Sequence, residues 1–142
     1  MAQQLNIFVE NKPGRIRAVT GTLEENDINL RSFQIQDRDD FGVMKALVDK
    51  PDLARTKLTE AGFACALKDI VAVKIKDTPG ELDKLLNVLF DQEINISDSY
   101  GFALNSDDSA LICLEVSNNK RVTQILKETD FILETNAEIS NI

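Results

Sequence analysis

The chain has 142 residues, with 16 Lys and Arg against 24 Asp and Glu, for a formal net charge of −8. An apolar fraction of 43% is enough for a packed core and too high for a disordered chain. With no histidine, the chain lacks the commonest general base and zinc ligand, and its acidic balance opposes binding to phosphate backbones.

The first predicted element is an alternating strand, Leu5–Glu10. The turn Asn11-Lys12-Pro13-Gly14-Arg15 follows and opens a helix with Ile16, Val19 and Leu23 at i, i+3 and i+7. A second strand is expected over Ile28–Ile35, an acidic turn containing Asp37, Asp39 and Asp40 after it, and a third strand over Val43–Val48. A helix from about Pro51 to Ala61 has proline in its first turn and Gly62 as its stop, and a short strand begins at Phe63. Residues Leu67–Ile70 contain no Gly, Pro or Ser, which argues against a floppy tether.

The pattern then starts again. Val71–Lys76 alternates, Asp77-Thr78-Pro79-Gly80-Glu81 turns, and Leu82, Leu85, Leu86, Leu89 and Phe90 form one helical stripe. Strands are expected over Ile94–Tyr100 and Leu111–Val116, a helix from about Asn119 to Thr129 capped by Ser117 or Asn118, and a last strand from Phe131. The two copies match at an offset of 66 through the turn and through Asp27-Ile28-Asn29-Leu30 against Glu93-Ile94-Asn95-Ile96. Later the offset is 68, pairing Leu58 with Leu126 and Phe63 with Phe131, so the second copy holds two extra residues, assigned to the Asn105–Ser109 loop. The order β-α-β-β-α-β, twice, implies an α+β fold of two ferredoxin-like units, residues 1–68 and 69–142, each an antiparallel sheet with its helices on one face.

Cys65 and Cys113 lie far apart with no CxxC, so they read as packing residues in a reducing compartment. The longest unbroken apolar runs are five residues, at Phe63–Leu67 and Ala110–Leu114, and the first residues lack the basic and apolar regions of a signal peptide. A cytoplasmic protein without a membrane span is the expectation. Residues 1–66 hold 9 basic and 10 acidic side chains and the remainder 7 and 14, which concentrates the negative charge in the second copy.

The repeated turn carries the chemistry. The first N–H groups of a helix have no internal partner and lie at the positive end of its dipole, which suits a carboxylate or a phosphate. Glycine lets a ligand approach the backbone closely, and proline gives up only a donor that the helix could not use. The plain alternative is a tidy helix start with Asn11 and Asp77 as caps. Asn29 and Asn95, at the starts of the second strands, are poor strand residues whose amides both donate and accept, which suits a zwitterion. Their plain alternative is a turn amide closing the helix-to-strand connection.

Asn11-Lys12-Pro13-Gly14-Arg15 with Asp27-Ile28-Asn29-Leu30 resembles the signature of the ACT domain, a small regulatory module that binds amino acids, and the second copy resembles it too. The resemblance covers nearly the whole chain up to about Thr135. It implies ligand contacts at Asn11, Gly14 and Asn29 in the first copy and Asp77, Gly80 and Asn95 in the second. Their neighbours Lys12, Arg15, Thr78 and Glu81 belong to the same candidate loops. Serine-binding members carry a histidine where this chain has Val9 and Ile75, so serine is not implied. Such domains pair side by side through edge strands, with the effector between domains near the Pro-Gly loop of one and the second strand of the other. The implied partners are an amino acid or related small carboxylate, a second copy in a homodimer, and a metabolic enzyme regulated in trans. No cofactor, metal, nucleic acid or membrane is implied.

Other readings fit less well. An RNA-recognition module needs aromatics on its third strand, and Val43–Val48 and Leu111–Val116 have none. A metal carrier of this fold needs a CxxC where the Pro-Gly turns stand. The clusters Asp37, Asp39, Asp40 and Asp107, Asp108 could hold magnesium or do acid–base work, but they fall where solvated turns are expected. Lys12 and Arg15 could steady a phosphate without naming a reaction. An adaptor that keeps the motif only for folding remains the rival to a sensor.

Overall fold

The computed structural model describes residues 1–105 and 107–142. Its elements run β1 (Ala2–Glu10), α1 (Arg15–Glu25), β2 (Leu30–Arg38), β3 (Phe41–Val48), α2 (Pro51–Glu60), β4 (Ala64–Lys76), α3 (Glu81–Asp91), β5 (Ile96–Leu104), β6 (Ser109–Val116), α4 (Asn119–Lys127), β7 (Ile132–Glu134) and α5 (Asn136–Ser140). The βαββαβ pattern occurs twice, on antiparallel strands. The last strand expected of the first copy and the first strand of the second are one continuous strand, β4, because nothing in Leu67–Ile70 breaks an extended backbone. The extra length of the second copy falls between Leu104 and Ser109, where Ser106 lies outside the described residues.

The chain divides into two compact units. The first comprises Gln3–Lys68 with Ile139–Asn141, the second Asp69–Glu138 with Met1–Ala2 and Ile142. In the first, β3 lies between β2 and β1, and β1 neighbours β4. The antiparallel register sets Leu5 opposite Ala46 and Ile7 opposite Met44. Period-2 alternation turns these side chains to one face, where Val19 and Leu23 of α1 and Ala54 and Leu58 of α2 cover them. In the second unit β4 pairs with both β6 and β7, and β6 with β5. Val71 and Val73, opposite Leu114 and Ile112, meet Leu85 and Leu89 of α3 and Val122 and Leu126 of α4. Burying each such leucine contributes about 1.5–3 kcal/mol.

Helix ends follow local chemistry. Pro51 stands in the first turn of α2. Asn118 caps α4, its Oδ1 accepting the N–H of Arg121 at 3.0 Å. Gly62 takes φ +94 just past α2, a conformation that suits glycine. Asp27 and Glu93, the residues before the repeated Ile-Asn, take left-handed φ of 52° and 55°. The tail after Thr135 has structure of its own. Ile139 of α5 is buried, the Ser140 hydroxyl donates to the Asp49 carbonyl at 2.8 Å, and the Ser140 carbonyl accepts from the Arg31 guanidinium. These contacts draw Ile139–Asn141 into the first unit.

Both cysteines are free thiols. Cys113 is buried on β6 beside Tyr100, and burial pushes its thiol up to about 12. Burial and the neighbouring Cys113 push the Tyr100 hydroxyl up as well.

Candidate functional site

The two Pro-Gly loops share one geometry. β1 ends at Glu10, and the Asn11 N–H donates to the Asp40 carbonyl at 3.1 Å. In the second unit the Asp77 N–H donates to the Asp108 carbonyl at 2.7 Å. Each loop is thereby tied to the turn joining the next two strands of its unit. The loop closes when the Arg15 N–H reaches the Lys12 carbonyl at 3.3 Å, as the Glu81 N–H reaches that of Thr78 at 3.3 Å. Gly14 and Gly80 then stand at the N-caps with φ 86° and 91°, and their carbonyls accept the first helical bonds from Ala18 and Lys84. A Cβ built on either glycine meets nothing within 4 Å, so the backbone at the turn is open to approach.

The capping alternative for Asn11 and Asp77 is not what the fold uses: neither α1 nor α3 has a side-chain cap. The Asn11 amide instead donates to the Asp39 carbonyl at 3.0 Å and lies 3.4 Å from Asp37 Oδ1. Asp37 belongs to the end of β2 rather than to the turn, because its residue pairs with Gly42 in the ladder. With the N–H groups of Arg15 and Glu81 turned to loop carbonyls, the donors a helix cannot pair internally begin one residue later, at Ile16 and Leu82.

Asn29 and Asn95 lie just ahead of the strands, which begin at Leu30 and Ile96. The Asn29 backbone is held by Asp49, its N–H donating to Oδ1 at 2.9 Å and its carbonyl accepting the Asp49 N–H at 3.1 Å. That exchange replaces ladder bonds at this place. Asn29 lines a cavity of about 470 Å³ in the first unit with Thr20, Asp27 and Asp49. Each helix separates the two motifs of its unit: α1 and α3 each have 11 residues, about 16 Å of rise. No single unit therefore brings its Pro-Gly loop and its asparagine together.

The charges around the two loops differ. In the first, Lys12 pairs with Glu10 at 2.9 Å, and that hydrogen bond holds the Glu10 carboxyl below its usual range. Arg15 lies over the Phe63 ring, 4.7 Å from its centroid. In the second, Glu81 occupies the position equivalent to Arg15 and pairs with Lys84 at 2.6 Å. Glu81 and Asp83 both sit in the first turn of α3, where they already answer the helix dipole.

Beside this second loop lies a cavity of about 710 Å³, walled by the end of β4, by α3 and by the α4–β7 connection. Its lining carries Lys74, Lys76 and Lys84 against Glu81, Asp107, Glu128 and Asp130, with Ile75, Val88 and Phe131 supplying apolar surface. Lys74 pairs with Asp107 at 2.7 Å, and that bond raises the pKa of its ammonium. Sequence reasoning missed Lys76, Lys84, Glu128, Asp130 and Phe131 as a group because they come from three elements. The available signal was the failure of charge to repeat where apolar residues do: Ala18 against Lys84, Gly62 against Asp130.

Residues 1–140 match the family model described as the ACT domain pair. The chain belongs to that family. This ACT pair is similar over 99% of its length to the crystal structure of protein BT0572 from Bacteroides thetaiotaomicron, of which 96% is covered, with 33% identity and a TM-score of 0.93. The regulatory subunit of aspartate kinase from Thermus thermophilus, solved in ligand-free form, aligns over 89% of this chain and 91% of its own at 18% identity and a TM-score of 0.63. That of Thermus flavus aligns over 89% and 90% at 16% and 0.57. At such identities these two show the shared fold. No curated protein matches the chain. Among the described residues of the ACT pair, no group of three or more His, Cys, Asp or Glu side chains is placed to hold a metal ion, and no helix is long and apolar enough to cross a membrane.

Proposed function

We propose that this ACT pair is a regulatory receptor for an α-amino acid or a related small carboxylate and acts in trans on a metabolic enzyme. The observation that carries the reading is the twice-built loop, with glycine in a left-handed N-cap, its Cβ direction open, and a helix starting behind it. The candidate contacts are Asn11, Lys12, Gly14, Arg15 and Asn29 in one copy and Asp77, Thr78, Gly80, Glu81 and Asn95 in the other. Regulatory subunits of aspartate kinase that share the fold support an enzyme as the regulated partner. A homodimer belongs to the same reading, supported by Phe33 and Ile35, each near half exposed on the edge strand β2. A ligand can shift regulation only by its difference in affinity between two arrangements of the protein.

A thermal-shift screen against the twenty amino acids and a few small carboxylates, each at millimolar concentration, tests the proposal. A ligand present at one hundred times its Kd adds about 2.7 kcal/mol. In a chain of this size that is a rise in Tm of roughly several degrees. A selective rise for one compound or one chemical group of compounds is expected. A flat screen on folded protein would overturn the receptor reading and leave the adaptor.

A further inference from the structure

We propose that the two loops are not equivalent, and that this chain binds one zwitterionic ligand, an α-amino acid with an apolar side chain, in the cavity of the second unit. This rests on the receptor reading above and locates its site. The loops repeat in backbone, but the side chains around them do not. In the first unit Glu10 is paired with Lys12 and Arg15 lies across Phe63, while in the second, among the described residues, Lys76, Glu128 and Asp130 line the cavity outside any ion pair. At the position of Lys84 stands Ala18, and at that of Asp130 stands Gly62. In the second unit Glu81 turns to Lys84, away from the arrangement that places Arg15 over an aromatic ring, and Phe131 lines an open cavity.

The lining specifies the ligand class. Three ammonium groups face four carboxylates around the cavity, so a simple anion meets as much repulsion as attraction. Among the described residues, Lys76, Glu128 and Asp130 form no ion pair. Lys76 supplies a donor for a carboxylate at the β4 wall. Glu128 and Asp130, on the α4–β7 connection, supply acceptors for an ammonium. Val88 and Phe131 offer apolar surface to a side chain. Glu81 and Asp83 already occupy the charge-favoured end of α3, so Lys76 adds a side-chain donor for the carboxylate to the open backbone of the turn.

The test uses the intact chain, uniformly labelled with nitrogen-15, and the twenty amino acids as probes, each at 10-fold steps to about 10 mM. Amide shifts are mapped and stoichiometry is read by calorimetry. The expected result is a response to apolar amino acids confined to residues 74–88 and 128–132, with one ligand per chain. Lys76→Met or Asp130→Asn is expected to weaken binding at least about tenfold, as loss of a charge-assisted bond does. Two ligands per chain, or shifts at residues 11–18 and 60–64, would overturn the inference and leave the receptor reading standing. No response to any amino acid would overturn both.

Discussion

Replacing Gly80 with valine is expected to lower stability by about 1–3 kcal/mol and to remove the rise in Tm that the proposed amino-acid binding gives. Gly80 holds φ +91, and a β-branched residue is a genuine outlier there. The destabilisation is conformational, since an added Cβ meets nothing within 4 Å. Gly80→Asn separates fold from function. Asparagine visits left-handed conformations more readily and should recover most of the lost stability. Its side chain still stands over the open turn, so the response to ligand stays weakened. Paired melting curves with and without the amino acid measure both effects. A valine variant that melts like the parent would show that the turn carries no strain to relieve.

Ending the chain after Thr135 is expected to destabilise the first unit by about 3 kcal/mol. The deletion removes Ile139, 2% exposed, whose burial is worth roughly 1.5–3 kcal/mol. It also removes the Ser140 carbonyl that accepts from Arg31, whose Nε is already buried without a partner. Leaving a buried donor unsatisfied costs about 1–3 kcal/mol, and the two effects overlap. The readout that matters is location. Hydrogen exchange should accelerate at Ile28–Asp49, far away in sequence from the cut, more than in the adjoining α4 and β7. A loss confined to residues near the cut would contradict the docking of the tail.

The repeat made most of this fold legible. Two Pro-Gly turns at one offset, each between an alternating run and a 3.6-period stripe, place β1, α1, the second half of β4 and α3 within a few residues of where they lie. Pro51 and Asn118 marked their helix starts through local chemistry that needs no tertiary information. What stayed hidden depends on distant partners. The unbroken Leu67–Ile70 excludes a floppy tether, but it does not say that the two flanking strands run on as one, β4. The docking of α5 rests on Arg31 and Asp49, more than ninety residues upstream. The capping alternative for Asn11 and Asp77 falls on a contact that the sequence does not show, the turn across which their N–H groups reach, at Asp40 and Asp108. The cavity of the second unit drew on β4, α3 and the α4–β7 connection at once, and no local pattern joins those.

The near balance of charge in that cavity sets how the protein would read its surroundings. An apolar amino acid at neutral pH has no net charge, so the acidic exterior neither steers it inward nor turns it away. Dissolved salt screens exposed charges over about 8–10 Å at physiological strength, but a neutral ligand gives that atmosphere little to act on. Occupancy would then follow the concentration of the amino acid and stay nearly indifferent to ionic strength, as a gauge of supply requires.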